Sequence, residues 1–174
     1  MISIRKYVFN YILLLLPFSF AFSNVIVHIG DVEVSGYTDD IVVPIIIENP
    51  SNSVGGFQLD IISSLDIISL SSVSPVDSDN FSADYNLFEN GSARIIFYGN
   101  NGSGIPSGGN ATVVNLHYDG SDILSAFFEL EGFDLTVSDE DGTVIPSSVI
   151  NGSIVVGNVV TLSLIHISEP TRPY

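Results

Sequence analysis

Arg94 is the one base between the two ends of this chain, and it stands in an alternating run, Ala93-Arg94-Ile95-Ile96-Phe97-Tyr98. On an extended backbone Arg94, Ile96 and Tyr98 point to one side, where a fixed positive charge beside apolar and aromatic surface could anchor a protein partner or meet a sugar face. A second alternating run, Phe57-Gln58-Leu59-Asp60-Ile61, places Gln58 and Asp60 together on its polar side. If these strands are neighbours, Gln58, Asp60, Arg94, Ile96 and Tyr98 share a sheet face, which Tyr85 and Phe88 from the preceding strand could extend. Two plainer readings stand beside this one. Arg94 reads more readily as half of a structural ion pair with a carboxylate such as Asp60 than as a recognition anchor. The patch as a whole reads equally well as a solvated sheet face that includes Tyr and Ile.

Other chemistry finds less support. Ser138-Asp139-Glu140-Asp141-Gly142, with Asp134 upstream, could offer hard oxygen ligands to Ca²⁺, but lacks the alternating acids and distal Glu of an EF-hand loop. An acidic hairpin turn explains it without an ion, and no cofactor is implied. There is no zinc-protease motif and no Gly-x-Ser-x-Gly elbow; Gly102-Ser103-Gly104 has the wrong spacing. His28 and His117 are far apart in sequence, and neither sits among candidate ligands. Paired carboxylates are inevitable in so acidic a chain and carry no argument for glycosidase chemistry. The Gly-rich stretch 104–109 is followed by neither Lys nor a helix pattern, so it is no phosphate loop. Asn80, Asn90, Asn101, Asn110 and Asn151 satisfy Asn-x-Ser/Thr, and turn chemistry accounts for the three that precede Gly.

The elements that must position these residues are strands. Short runs rich in Val, Ile, Phe and Tyr alternate with clusters of Gly, Asn, Asp, Ser and Pro. The pattern predicts strands near 25–29, 32–36, 41–48, 55–62, 67–73, 84–88, 93–99, 111–118, 126–137 and 143–156, the last with a break. Asn90-Gly91, Asn101-Gly102, Asp119-Gly120, Asp141-Gly142 and Asn151-Gly152 are turn signals, because each offers a left-handed backbone position at little steric cost. No segment sustains a 3.6-residue apolar period over ten residues. The fold class is all-β, a sandwich.

The whole chain has 174 residues, with 20 acids against 4 bases and no Cys. That excludes disulfides, Cys-ligated zinc, iron–sulfur clusters and a thiol nucleophile. Met1–Ser23 has the pattern of a secretory signal peptide: Arg5 and Lys6, an apolar run to Phe22, and Ala21-Phe22-Ser23 before a cut at Asn24. The apolar run is too short, and too interrupted by Pro17, for a membrane span. The expected setting is therefore secreted, extracellular or cell surface, with no membrane insertion after cleavage. At the other end, Leu162–Arg172 resembles the translation of a sequencing-library adapter. On that reading 162–174 is not biological sequence and the natural chain runs on past about Thr161. The domain is then 24–161, where 19 acids face Arg94 alone for a net charge of −18. Such a domain repels phosphate backbones, so nucleic acid is excluded as a partner.

Val54-Gly55-Gly56-Phe57-Gln58-Leu59-Asp60 resembles the cohesin domain, the β-sandwich module of cellulosome scaffolds, related to carbohydrate-binding modules. Further segments resemble it in matching order: Asp40-Ile41-Val42-Val43-Pro44-Ile45, Ile68–Val73, Ala93–Gly99, Ala111–Leu116, and the closing pair Asp141–Ile145 and Asn151–Ile154. The resemblance spans roughly 25–156 and implies a nine-stranded jelly-roll in which the Gln58 and Arg94 strands are neighbours. It also implies a non-catalytic binding module of a larger protein, docking a dockerin-like protein or attaching to a polysaccharide. The alternatives are a structural spacer in a surface polypeptide and an accessory domain of a truncated polysaccharide-degrading enzyme.

Overall fold

The computed structural model describes residues 24–49 and 51–157. The signal-peptide and adapter readings therefore lie outside the described residues. Within them the chain forms twelve strands and one tight 3-10 turn at Asn100–Gly102. The strands are β1 (Val25–Ile29), β2 (Asp31–Val34), β3 (Thr38–Glu48), β4 (Gly56–Ser63), β5 (Ser69–Pro75) and β6 (Phe81–Leu87). They continue as β7 (Ala93–Gly99), β8 (Asn110–Gly120), β9 (Ala126–Ser138), β10 (Val144–Ile145), β11 (Ser147–Ile150) and β12 (Gly152–Val156).

Two sheets pack face to face. One has five strands in the order β11-β1-β3-β8-β5; the other has seven, in the order β2-β12-β9-β4-β7-β6 with β10 also on β9. Alternation makes the core. Val25, Val27 and Ile29 of β1 and Ile41, Val43, Ile45 and Ile47 of β3 point inward from the first sheet. Leu59, Ile95, Phe97, Phe128, Leu130 and Ile154 meet them from the second. Phe97 stacks between Phe57 and Phe81, with ring centroids 5.3 and 5.0 Å away. Each such side chain removed from water contributes about 1.5–3 kcal/mol, so the core needs no disulfide.

The expected nine strands are corrected to twelve: the two-residue β10 on β9 is one addition, and two sheet crossings account for the other two. The stretches 25–34 and 147–156 are each nearly continuous extended chain, but each leaves one sheet and joins the other. β1 lies in the five-stranded sheet and β2 in the seven-stranded; β11 and β12 divide the same way. The crossings meet at Gly152, where a Cβ would stand 2.5 Å from the carbonyl oxygens of Ile29 and Gly30. Close approach, and not a left-handed turn, is what requires Gly there, so the turn expected at Asn151-Gly152 is a sheet crossing. Asp119-Gly120 is likewise the end of β8. The turns expected at Asn90-Gly91, Asn101-Gly102 and Asp141-Gly142 do carry glycines at positive φ, of 83°, 77° and 81°.

Candidate site on the outer face of the seven-stranded sheet

β7 lies between β4 and β6, and its register sets the site. Ile96 is opposite Gln58 on β4 and Asp84 on β6; Arg94 is opposite Asp60 and Asn86; Tyr98 is opposite Gly56 and Ser82. Period-2 alternation sends Ala93, Ile95 and Phe97 into the core and leaves Arg94, Ile96 and Tyr98 outside. Ile96 is 40% exposed and Tyr98 50%, on a strand whose backbone is held on both sides. Gln58, half-buried, completes the apolar and polar centre of the face.

Arg94 and Asp60 form a bidentate pair. Arg94 Nε donates to Asp60 Oδ1 and a terminal nitrogen donates to Oδ2, both at 2.7 Å. The hydrogen bonds to Asp60 raise the guanidinium pKa against an opposing desolvation, and the charges of Asp60 and Asp134 add to the rise. Arg94 also lies over Phe88, its guanidinium carbon 5.4 Å from the ring centroid. Asp60 was expected as a solvent-facing residue, but its side chain is only 5% exposed, against 35% for Arg94. Its cross-strand neighbours are Arg94 on one side and Phe133 on the other, and these long side chains flank it. Asp60 therefore supports the face from beneath and presents little of itself to a partner.

Tyr85 does not join the face. It is opposite Ile95 in the β6–β7 register, so it points toward the five-stranded sheet, and its hydroxyl donates to the Ser71 carbonyl at 2.6 Å. Its expected place in the patch is corrected by strand parity: Ser82, Asp84 and Asn86 are the outward residues of β6. Phe88, just past β6, is on the outer side with Arg94.

Sequence reasoning missed the contribution of β9. Thr136 stands opposite Gln58 and Phe133 opposite Asp60, so both border the patch. The register shifts by one residue between them, and Asp134 has φ 49°. A β-bulge of this kind breaks period-2 counting, which is why alternation along 126–137 could not place them. The acidic run after β9 is a self-satisfied turn. Asp139 Oδ1 accepts from the backbone N–H of Asp141 at 3.0 Å and of Thr143 at 2.7 Å. Among the described residues no group of three or more His, Cys, Asp or Glu side chains is placed to hold a metal ion.

No family model matches the sequence, and no curated protein matches it significantly. Solved structures do match. A non-cellulosomal cohesin from the archaeon Archaeoglobus fulgidus is similar at a TM-score of 0.61 and 19% identity, covering 78% of this chain and 93% of that one. The fold is that of a cohesin domain. The cohesin CaCohA2 from Clostridium acetobutylicum is similar at a TM-score of 0.59 and 26% identity, covering 77% of this chain and 91% of its own. A type I cohesin–dockerin complex from Clostridium thermocellum contains a chain similar at 0.60 and 17% identity, covering 77% and 94%. The cohesin fold thus accounts for nearly all of the described residues, as the segment-by-segment resemblance implies.

Proposed function

We propose that this chain is a non-catalytic docking module that binds a dockerin-type protein through the outer face of β6, β7, β4 and β9. The observation that carries the reading is the pair Ile96 and Tyr98, exposed side by side on a strand whose backbone is paired with β4 on one side and β6 on the other. Large apolar side chains held rigidly lose little conformational freedom when a partner covers them. Gln58, Thr136, Ser82 and Asp84 surround them with hydrogen-bonding groups, the arrangement of an apolar centre with a polar rim. Arg94 and Phe88 border the centre, with the charge of Arg94 already matched by Asp60. The cohesin fold, and the presence of a cohesin–dockerin complex among the similar structures, support the choice of partner. The leader pattern of 1–23 supports an extracellular setting.

Calorimetric titration of the protein against a panel of type I dockerin modules tests this. Saturable binding is expected, weakened tenfold or more by Tyr98→Ala and by Ile96→Asp, as for residues at the centre of an interface. Absence of binding across the panel, or binding indifferent to both substitutions, overturns it.

A further inference from the structure

The outer face of the other sheet holds three side chains in series. Asp40 belongs to β3, His117 to β8 and Ser74 to β5, which are adjacent strands in that order. His117 is opposite Val42 on β3 and Ser72 on β5. Asp40 precedes Val42 by two residues and Ser74 follows Ser72 by two, so they reach the imidazole from opposite diagonals of the same face. His117 Nδ1 lies 3.0 and 3.1 Å from the two carboxylate oxygens of Asp40, and Nε2 lies 2.9 Å from Ser74 Oγ. Ser71 Oγ donates to the His117 carbonyl at 2.8 Å, tying the same residue to β5 a second time.

The protons follow from the partners. An ionised carboxylate can only accept, so the neutral imidazole carries its proton on Nδ1 and donates it to Asp40. Nε2 is then an acceptor, and the Ser74 hydroxyl donates to it. This is the order of groups by which a histidine, oriented by a carboxylate, activates a serine oxygen.

We propose that Asp40 and His117 make Ser74 a covalent modification site, an acceptor for activated acyl donors such as thioesters and aryl esters. Ser74 Oγ attacks the carbonyl carbon of the donor as its proton passes to His117 Nε2. The bond from that carbon to the thiolate or phenolate breaks, and the leaving group takes the proton from His117, restoring the neutral imidazole. Asp40 stabilises the imidazolium formed between these steps. The product is an ester at Ser74. General-base assistance of this kind accelerates such a step by about 10²–10⁴-fold. The site is on the opposite face of the sandwich from Ile96 and Tyr98, so it does not depend on the docking reading.

Treating the full chain with p-nitrophenyl acetate, followed by peptide mapping in a mass spectrometer, tests the proposal. One acetyl group is expected on the peptide bearing Ser74, absent in Ser74→Ala. The rate at Ser74 should fall at least tenfold in His117→Gln and in Asp40→Asn. The Asp40 side chain is 58% exposed, so Asp40→Asn leaves packing intact and decides the matter even where His117→Gln unfolds. Acetylation spread over many serines without preference for Ser74, or an unchanged rate in Asp40→Asn, overturns the proposal.

Discussion

At the scale of single residues, Asp60 and Arg94 divide the roles that alternation alone would assign equally to both. Asp60 lies on the outward side of β4 yet is buried, because Arg94 closes over it through two 2.7 Å hydrogen bonds. A carboxylate in that position is tolerated only while the guanidinium is present. Arg94→Met should therefore lower the melting temperature by several degrees, since it leaves Asp60 buried without a counter-charge. The combined Asp60→Leu and Arg94→Met variant should recover most of that loss, because two apolar groups packing together leave no charge to desolvate. Thermal unfolding of the three proteins checks this, and a double variant no better than Arg94→Met would contradict it. The ion pair was legible in the sequence as the preferred role for the lone base. The burial of Asp60 was not, because it depends on which side chains flank it across the ladder.

At the scale of elements, strand existence was readable and strand parity only partly so. The runs Phe57–Ile61 and Ala93–Tyr98 have unbroken apolar alternation, and β4 and β7 present the faces that it predicts. Tyr85 fails because the strand expected near 84–88 starts too late. Over the whole of β6, Phe81, Ala83, Tyr85 and Leu87 alternate with Ser82, Asp84 and Asn86, and that pattern puts the aromatic residues inward, as the pairing with β7 does. The bulge at Asp134 hides Phe133 and Thr136 from any such count. The pairing of β4 with β7 also leaves its mark on Gly56, where a Cβ would stand 2.5 Å from the Phe97 carbonyl oxygen. That oxygen and the Tyr98 Cα, which the Cβ would meet at 3.2 Å, are sheet backbone and cannot swing away. Gly56→Ala should cost about 1–3 kcal/mol as the two strands are pushed apart. Urea unfolding measures this, with no change in midpoint as the contrary result.

For the whole molecule, charge is the property most fully settled by composition. Residues 24–161 carry 19 acids and one base, and that base is already paired. Self-repulsion among exposed carboxylates opposes the compact state, and salt screens it over about 30 Å at 0.01 M but only about 8 Å at 0.15 M. The melting temperature should therefore rise with NaCl over that range, whereas a surface held together by ion pairs would lose stability. Composition, alternation and turn residues together determined an acidic, disulfide-free β-sandwich, because these are properties of short stretches of chain; its resemblance to a cohesin came from the order of particular segments. Tertiary structure alone decided that two extended stretches switch sheets and that Asp60 lies beneath Arg94. It also joined Asp40, His117 and Ser74, which are dispersed through the sequence. Contacts between strands distant in sequence depend on sheet order and register, and neither is encoded in any one strand.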